Sequence, residues 1–237
     1  MLVTVFGATG GIGRHVVEEA VRGGYAVRGV TRNRPGTDPA HERVAWVQGD
    51  LADTASIRSA VEGCDAVIWA VGATSNTRDQ VGLFEAATRE LVSAMEQFGV
   101  RRLVALSGAG ITLDEERKPL GGRLMSALVD VLARYVVEAK EVEYDLIKRS
   151  SLDWVLVRPP RVVPGETTGS YVAGDTLAGR GVTQGDLAHF MVAQLIDDTY
   201  LRRAPYVATV RRSRGRHATN PVVSAESTTT KTSAPSA

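Results

Sequence analysis

Leu2-Val3-Thr4-Val5-Phe6-Gly7-Ala8-Thr9-Gly10-Gly11-Ile12-Gly13 is the stretch that decides the fold. Its first five residues are a near-continuous apolar run, the pattern of a short strand buried on both faces. Gly7, Gly10 and Gly13 follow at the spacing G-x-x-G-x-x-G. Gly11 to Arg22 then reads as a helix, with Ile12, Val16, Val17 and Ala20 on one stripe. Strand, glycine turn and helix in this order let backbone amides approach a pyrophosphate at a helix N-terminus. Gly7 permits the tight turn, Gly10 the close approach and Gly13 the packing of helix on strand. Thr9, Gly11 and Ile12 complete a candidate dinucleotide cradle.

Outward from this loop, strands and helices alternate. Ala26 to Thr31, Val44 to Gln48, Asp65 to Ala70, Arg102 to Ser107 and Trp154 to Arg158 read as strands. Asp53 to Glu62, Asp79 to Phe98 and much of Gly121 to Arg149 read as helices, the second closed by Gly99 as a C-cap. Asn33 to Glu42, with Pro35, Gly36 and Pro39, is a loop. Parallel strands need crossover connections, so this order implies an α/β fold: a doubly wound parallel sheet with helices on both faces. After Pro159-Pro160 the pattern loosens into a short strand at Tyr171 to Ala173, a helix at Gly185 to Asp197 and a last strand at Pro205 to Val210. The expected organisation is one domain over residues 1–213, with a small substrate-side cap from about 159, and a tail over 214–237. That tail holds no Leu, Ile, Met or aromatic residue and is too polar to offset its ordering entropy, so it is expected to be disordered.

The second strand ends at Val30-Thr31-Arg32-Asn33-Arg34. An NAD-preferring site places Asp or Glu here for the ribose 2′-OH, and none is present. Arg32, with Arg34 nearby, suits a 2′-phosphate through charge and bidentate geometry, so NADP(H) is expected over NAD(H).

The whole chain carries 28 basic and 27 acidic residues in 237, a net charge of +1. That balance argues against a dedicated nucleic-acid binder. The basic run Arg211-Arg212-Ser213-Arg214-Gly215-Arg216 has no interleaved aromatics and reads as a solvated hinge. No apolar run approaches the roughly 20 residues that span a bilayer, and the start lacks the basic and small-residue pattern of a signal peptide. A cytoplasmic protein is expected, a monomer or weak homo-oligomer acting on a small molecule. The single Cys64 reads as a small buried filler and excludes an internal disulfide. His15, His41, His189 and His217 lack zinc-like spacing, so no metal is expected. A Gly-x-Ser-x-Gly nucleophile elbow is absent.

These motifs together resemble the atypical short-chain dehydrogenase/reductase families, NmrA-like proteins with a Rossmann fold, over roughly residues 1–210. Val47-Gln48-Gly49-Asp50-Leu51 is similar to their Gly-Asp motif after the third strand, which implies that Asp50 and Leu51 border the adenine. Asp50 is equally a candidate helix N-cap. Ala70-Val71-Gly72-Ala73 is similar to their small-residue turn along the cofactor ribose.

Relatives with acid-base chemistry use a Ser, a Tyr and a Lys. Ala139-Lys140 matches the family's lysine, but the tyrosine four residues earlier is Val136, and Tyr135 is about 100° away around a helix. Tyr144 and Lys148 are spaced as Tyr-x-x-x-Lys but lie too close to the sixth strand. Tyrosine-based catalysis is therefore not expected. Ser107, at the C-terminal edge of the sheet, is the best hydroxyl for a substrate or nicotinamide contact, and Lys140 is a candidate ribose or substrate contact. Pro160 and Arg161 would border the nicotinamide end.

Thr168-Gly169-Ser170-Tyr171, Gly179-Arg180-Gly181 and Gly185-Asp186-Leu187-Ala188-His189-Phe190 resemble the biliverdin-IXβ reductase/flavin reductase branch. The resemblance implies hydride transfer from NADPH to a planar conjugated acceptor, flavin-, quinone- or bilin-like, which needs little acid-base assistance. Relatives have His where Arg161 stands and Ser where Gly108 stands, so the acceptor side differs. His189 reads as a packing or capping residue. A non-catalytic NADP(H) sensor and a nucleotide-dependent epimerase or isomerase are the alternatives.

Overall fold

The computed structural model describes residues 1–33, 43–111, 113 and 133–209. Arg34, His41, the first part of the expected 121–149 helix and the tail lie outside them. Six strands form one parallel sheet: β1 (Leu2–Phe6), β2 (Ala26–Thr31), β3 (Val44–Gln48), β4 (Ala66–Trp69), β5 (Arg102–Leu106) and β6 (Asp153–Val157), in the order β3-β2-β1-β4-β5-β6. The connecting helices are α1 (Gly13–Arg22), α2 (Thr54–Val61), α3 (Arg78–Phe98) and α4 (Arg134–Arg149). The order reverses between β1 and β4, and ligands bind doubly wound sheets outside the strand ends at such a point.

The apolar strands read as continuous because both faces are covered. Val67 and Trp69 of β4, Leu103 and Ala105 of β5, and Trp154 and Leu156 of β6 pack into one core with Ile57 of α2, Phe84 and Leu91 of α3, and Ile147 of α4. The alternate residues Ala66 and Ile68, Val104 and Leu106, and Val155 and Val157 pack into a second core with Val16 and Val17 of α1. At about 25 cal/mol per Å² of apolar surface removed from water, these two layers dominate stability. The one polar side chain inside β1, Thr4, donates its hydroxyl to Ala60 O at 2.9 Å.

Beyond β6 lie β7 (Val162–Val163), β8 (Tyr171–Gly174), β9 (Val182–Thr183), α5 (Gln184–Ala193) and β10 (Tyr206–Thr209). β7 pairs with β9 and β10 with β8. The two-residue strands β7 and β9 were too short to show a periodicity. Leu187 and Met191 of α5 and Val207 of β10 belong to the same core as α1, so this extension is packed onto the sheet domain. Arg158 fastens it: its guanidinium donates to Ala204 O at 2.8 Å and lies 3.9 Å from the Tyr206 ring centroid.

Candidate functional site

The glycine loop joins β1 to α1 at the switch point. Gly7 has φ +72°, and a Cβ there would stand 2.6 Å from Ala70 O. A Cβ on Gly13 would stand 2.0 Å from Gly7 O, so only glycine lets α1 approach the turn this closely. α1 begins at Ile12 with no side-chain cap and no acidic residue in its first turn. A helix N-terminus left in this state is electrostatically open to an anion. Thr9 is held by its hydroxyl, 3.0 Å from that of Thr31, whose own hydroxyl donates to Asn33 O at 2.9 Å. Thr31 thus ties the loop to the end of β2, a role with no marker in the sequence.

Beside this loop lies a cleft of about 390 Å³. Gly7, Thr9 and Gly10, the Ala70, Val71 and Gly72 turn, and Arg32, Asp50 and Leu51 all line it. Nine expected cofactor residues are therefore brought together. Leu83, Phe84 and Gln80 of α3 also line it and were missed, because nothing distinguishes them from ordinary helix positions. Arg32 is exposed and its guanidinium has no partner among the described residues. It borders a recess of about 370 Å³ with Gln48, Gly49, Asp50 and Asp53.

Two expectations need correction here. The N-cap of α2 is Asp53, which accepts from Ala55 N at 3.1 Å. Asp50 instead accepts from Ala52 N at 3.0 Å, closing a turn at the cleft wall. Lys140 is not a free ribose or substrate contact. It is buried, and its ammonium donates to Val71 O at 2.9 Å, Leu106 O at 2.9 Å and Glu143 Oε1 at 2.9 Å, above the Phe84 ring. Those three bonds engage all its protons. Glu143 is fully buried, and its other oxygen accepts from Trp69 Nε1 at 2.9 Å. Burial pushes the Glu143 carboxyl above the ordinary range, against the pull of the Lys140 charge. The i, i+3 spacing of Lys140 and Glu143 on one helix was the signal that could have revealed the pair.

Ser107 directly follows β5, with its amide donating to Val157 O at 2.8 Å. Its hydroxyl is buried and has no hydrogen-bond partner among the described residues. An orphaned buried hydroxyl at the C-terminal edge of the sheet fits a ligand contact. Pro160 and Arg161 lie beyond the end of β6, outside the lining of the cleft. Arg161 is exposed, and its carbonyl receives Val182 N at 2.9 Å. Tyr144, of the Tyr144–Lys148 pair, is buried in the core against Trp154, away from the cleft. His189 meets the Tyr171 hydroxyl through Nδ1 at 2.7 Å, a hydrogen bond within the extension. No cluster of His, Cys, Asp or Glu among the described residues could hold a metal. No helix among them is long and apolar enough to cross a membrane.

Glycines whose Cβ positions are filled, an uncapped helix N-terminus and the orphaned Ser107 hydroxyl together fit a dinucleotide. Comparison with known proteins agrees. Residues 7–198 match a family described as NAD(P)H-binding. Over 127 residues the chain is 36% identical to cinnamoyl-CoA reductase 1 of Oryza sativa subsp. japonica, covering 50% of this chain and 38% of that protein. The chain thus spans well under half the length of that relative. Among solved structures, ChuY, an anaerobillin reductase from Escherichia coli O157:H7, superposes with TM-score 0.71 at 18% identity, over 88% of this chain and 97% of that one. A short-chain dehydrogenase/reductase from Veillonella parvula in complex with NADP superposes with TM-score 0.69 at 17% identity, over 87% and 94%. These two share the fold. The chain belongs to the NAD(P)H-binding family, on a Rossmann-like α/β fold.

Proposed function

We propose that the protein is an NADPH-dependent reductase that delivers hydride to a planar conjugated acceptor of the flavin, quinone or bilin type. The observation that carries this reading is the state of Lys140. Its ammonium is held by two carbonyls and Glu143, and Val136 occupies the place of a partner tyrosine. Such a site lacks the usual proton relay and suits an acceptor that takes hydride without one. Membership of the NAD(P)H-binding family, the reductase among the relatives and the anaerobillin reductase of the same fold support it.

The loop from Gly7 to Gly13 would hold the diphosphate, Arg32 a 2′-phosphate, and Asp50 and Leu51 the adenine side. The Ala70–Gly72 turn would border the ribose. Ser107 would offer its free hydroxyl to the nicotinamide or acceptor, with Pro160 and Arg161 at that end of the sheet. Arg32, with no side-chain partner among the described residues and in the place of an acidic residue, supports NADP(H) over NAD(H). When bound, the dihydronicotinamide supplies the hydride. The test is a panel of flavins, quinones and linear tetrapyrroles mixed with NADPH and pure protein, followed by loss of reduced-nicotinamide absorbance. Turnover of at least one acceptor is expected. NADPH binding with no turnover on any of them would overturn the reading in favour of a cofactor sensor.

A further inference from the structure

Gln184 opens α5, far in sequence from the glycine loop, yet its side chain lies on that loop. A Cβ built on Gly11 would stand 2.8 Å from Gln184 Nε2. The side-chain amide is half-buried and has no hydrogen-bond partner among the described residues. An unengaged donor beside the open N-terminus of α1 is placed where an anionic oxygen would satisfy it.

The same helix end carries the loop that precedes β8. Gly185 N donates to Gly165 O at 2.9 Å, and a Cβ on Gly185 would stand 2.2 Å from Thr167 N. The buried Asp186 carboxylate accepts from Thr168 N at 2.6 Å, Thr168 Oγ1 at 2.7 Å and Gly169 N at 2.8 Å. Thr183 caps the helix by accepting from Asp186 N at 3.0 Å. Residues 165–169 are therefore tied by hydrogen bonds to Gly185 and Asp186, the residues that follow Gln184.

We propose that Gln184 is a cofactor-binding residue, donating from its side-chain amide to the dinucleotide diphosphate over Gly11 and so linking cofactor occupancy to the 165–169 loop. This rests on the family's dinucleotide site and deepens the functional reading above. The contact would be supplied from the C-terminal extension, across from the glycine loop.

The experiment is calorimetric titration of NADPH into the wild-type protein, Gln184→Ala and Gln184→Glu, with melting of each protein without ligand. One hydrogen bond to a charged group corresponds to about tenfold in affinity, so Gln184→Ala binds NADPH about tenfold more weakly. Gln184→Glu, which sets a carboxylate against the diphosphate, binds more weakly still, and ligand-free melting is unchanged in both. In hydrogen exchange, NADPH slows the Thr168 and Gly169 amides in the wild type and less in Gln184→Ala. Equal NADPH affinity in all three proteins would overturn the inference. So would an equal loss in both variants accompanied by lower ligand-free melting, the mark of a packing residue. No NADPH binding by the wild type would overturn the functional reading itself, and this inference with it.

Discussion

Lys140 Nζ lies 2.9 Å from Glu143 Oε1, one turn apart on α4, with both side chains buried. The ammonium also joins Val71 O to Leu106 O, the backbone at the ends of β4 and β5. Those ends border the cleft on one side and Ser107 on the other. The pair therefore ties α4 to the ends of β4 and β5 beside the cleft.

Removing one partner of a buried ion pair leaves an uncompensated charge. Lys140→Met should lose about 3–5 kcal/mol of stability, whereas replacing both partners by apolar residues should recover most of it. Urea unfolding of Lys140→Met, Glu143→Leu and the double variant measures this. Strict additivity of the single losses would contradict the coupling.

The Ser107 hydroxyl is buried and has no partner among the described residues. An unsatisfied buried polar group costs about 1–3 kcal/mol, so Ser107→Ala should leave the ligand-free protein as stable or up to about 1 kcal/mol more stable. Turnover should fall in the same variant more than NADPH affinity does. Stability in urea and steady-state kinetics check both halves, and unchanged kinetics would remove Ser107 from the site.

Arg32 has no competing partner among the described residues, since Asp50 and Asp53 accept from backbone amides of their own segment. Arg32→Asp should weaken NADPH binding by about 10- to 100-fold, the range of a lost charge-assisted hydrogen bond, while NADH binding holds or improves. Titration with both cofactors reads the ratio; an unchanged preference for NADPH would refute the assignment.

Tyr171 is half-buried against α5, and that burial, with Asp186 and then Glu19 nearby, pushes its phenol up from 10.0 to about 12. The folded state then holds a proton that the unfolded chain releases. Its contribution to stability is fully present below pH 10 and is lost as pH rises toward about 12. Ultraviolet titration should show a phenol ionising near pH 12 that is lost in Tyr171→Phe, and a steeper loss of stability above pH 10 in the wild type.

The sheet was legible because its signals are local and repeated. The Gly7–Gly13 loop, six apolar runs and the Gly99 cap mark the elements whatever surrounds them. The cleft was legible where backbone conformation demands a residue type, as at Gly7 and Gly13, or where a charge is conspicuous, as at Arg32. Lys140 was misread because its protons are claimed by Val71 O and Leu106 O, carbonyls 69 and 34 residues away in the chain. Phe84 and Gln184 carried no signal, since only the packing of α3 brings Phe84 to the cleft and only the packing of α5 on α1 brings Gln184 to Gly11. Strands β7 and β9, two residues each, are defined by their pairing with one another and by nothing in their own composition.

The central claim is that this site positions hydride transfer without a side-chain proton relay. The pH dependence of kcat for NADPH oxidation, with an acceptor that the panel shows to be turned over, tests it most directly. With Lys140 fully engaged and Val136 in the tyrosine's place, the profile should be flat from about pH 6 to 9, where a catalytic acid or base would titrate. A break in that range that shifts or disappears in a Lys140 variant would contradict the account.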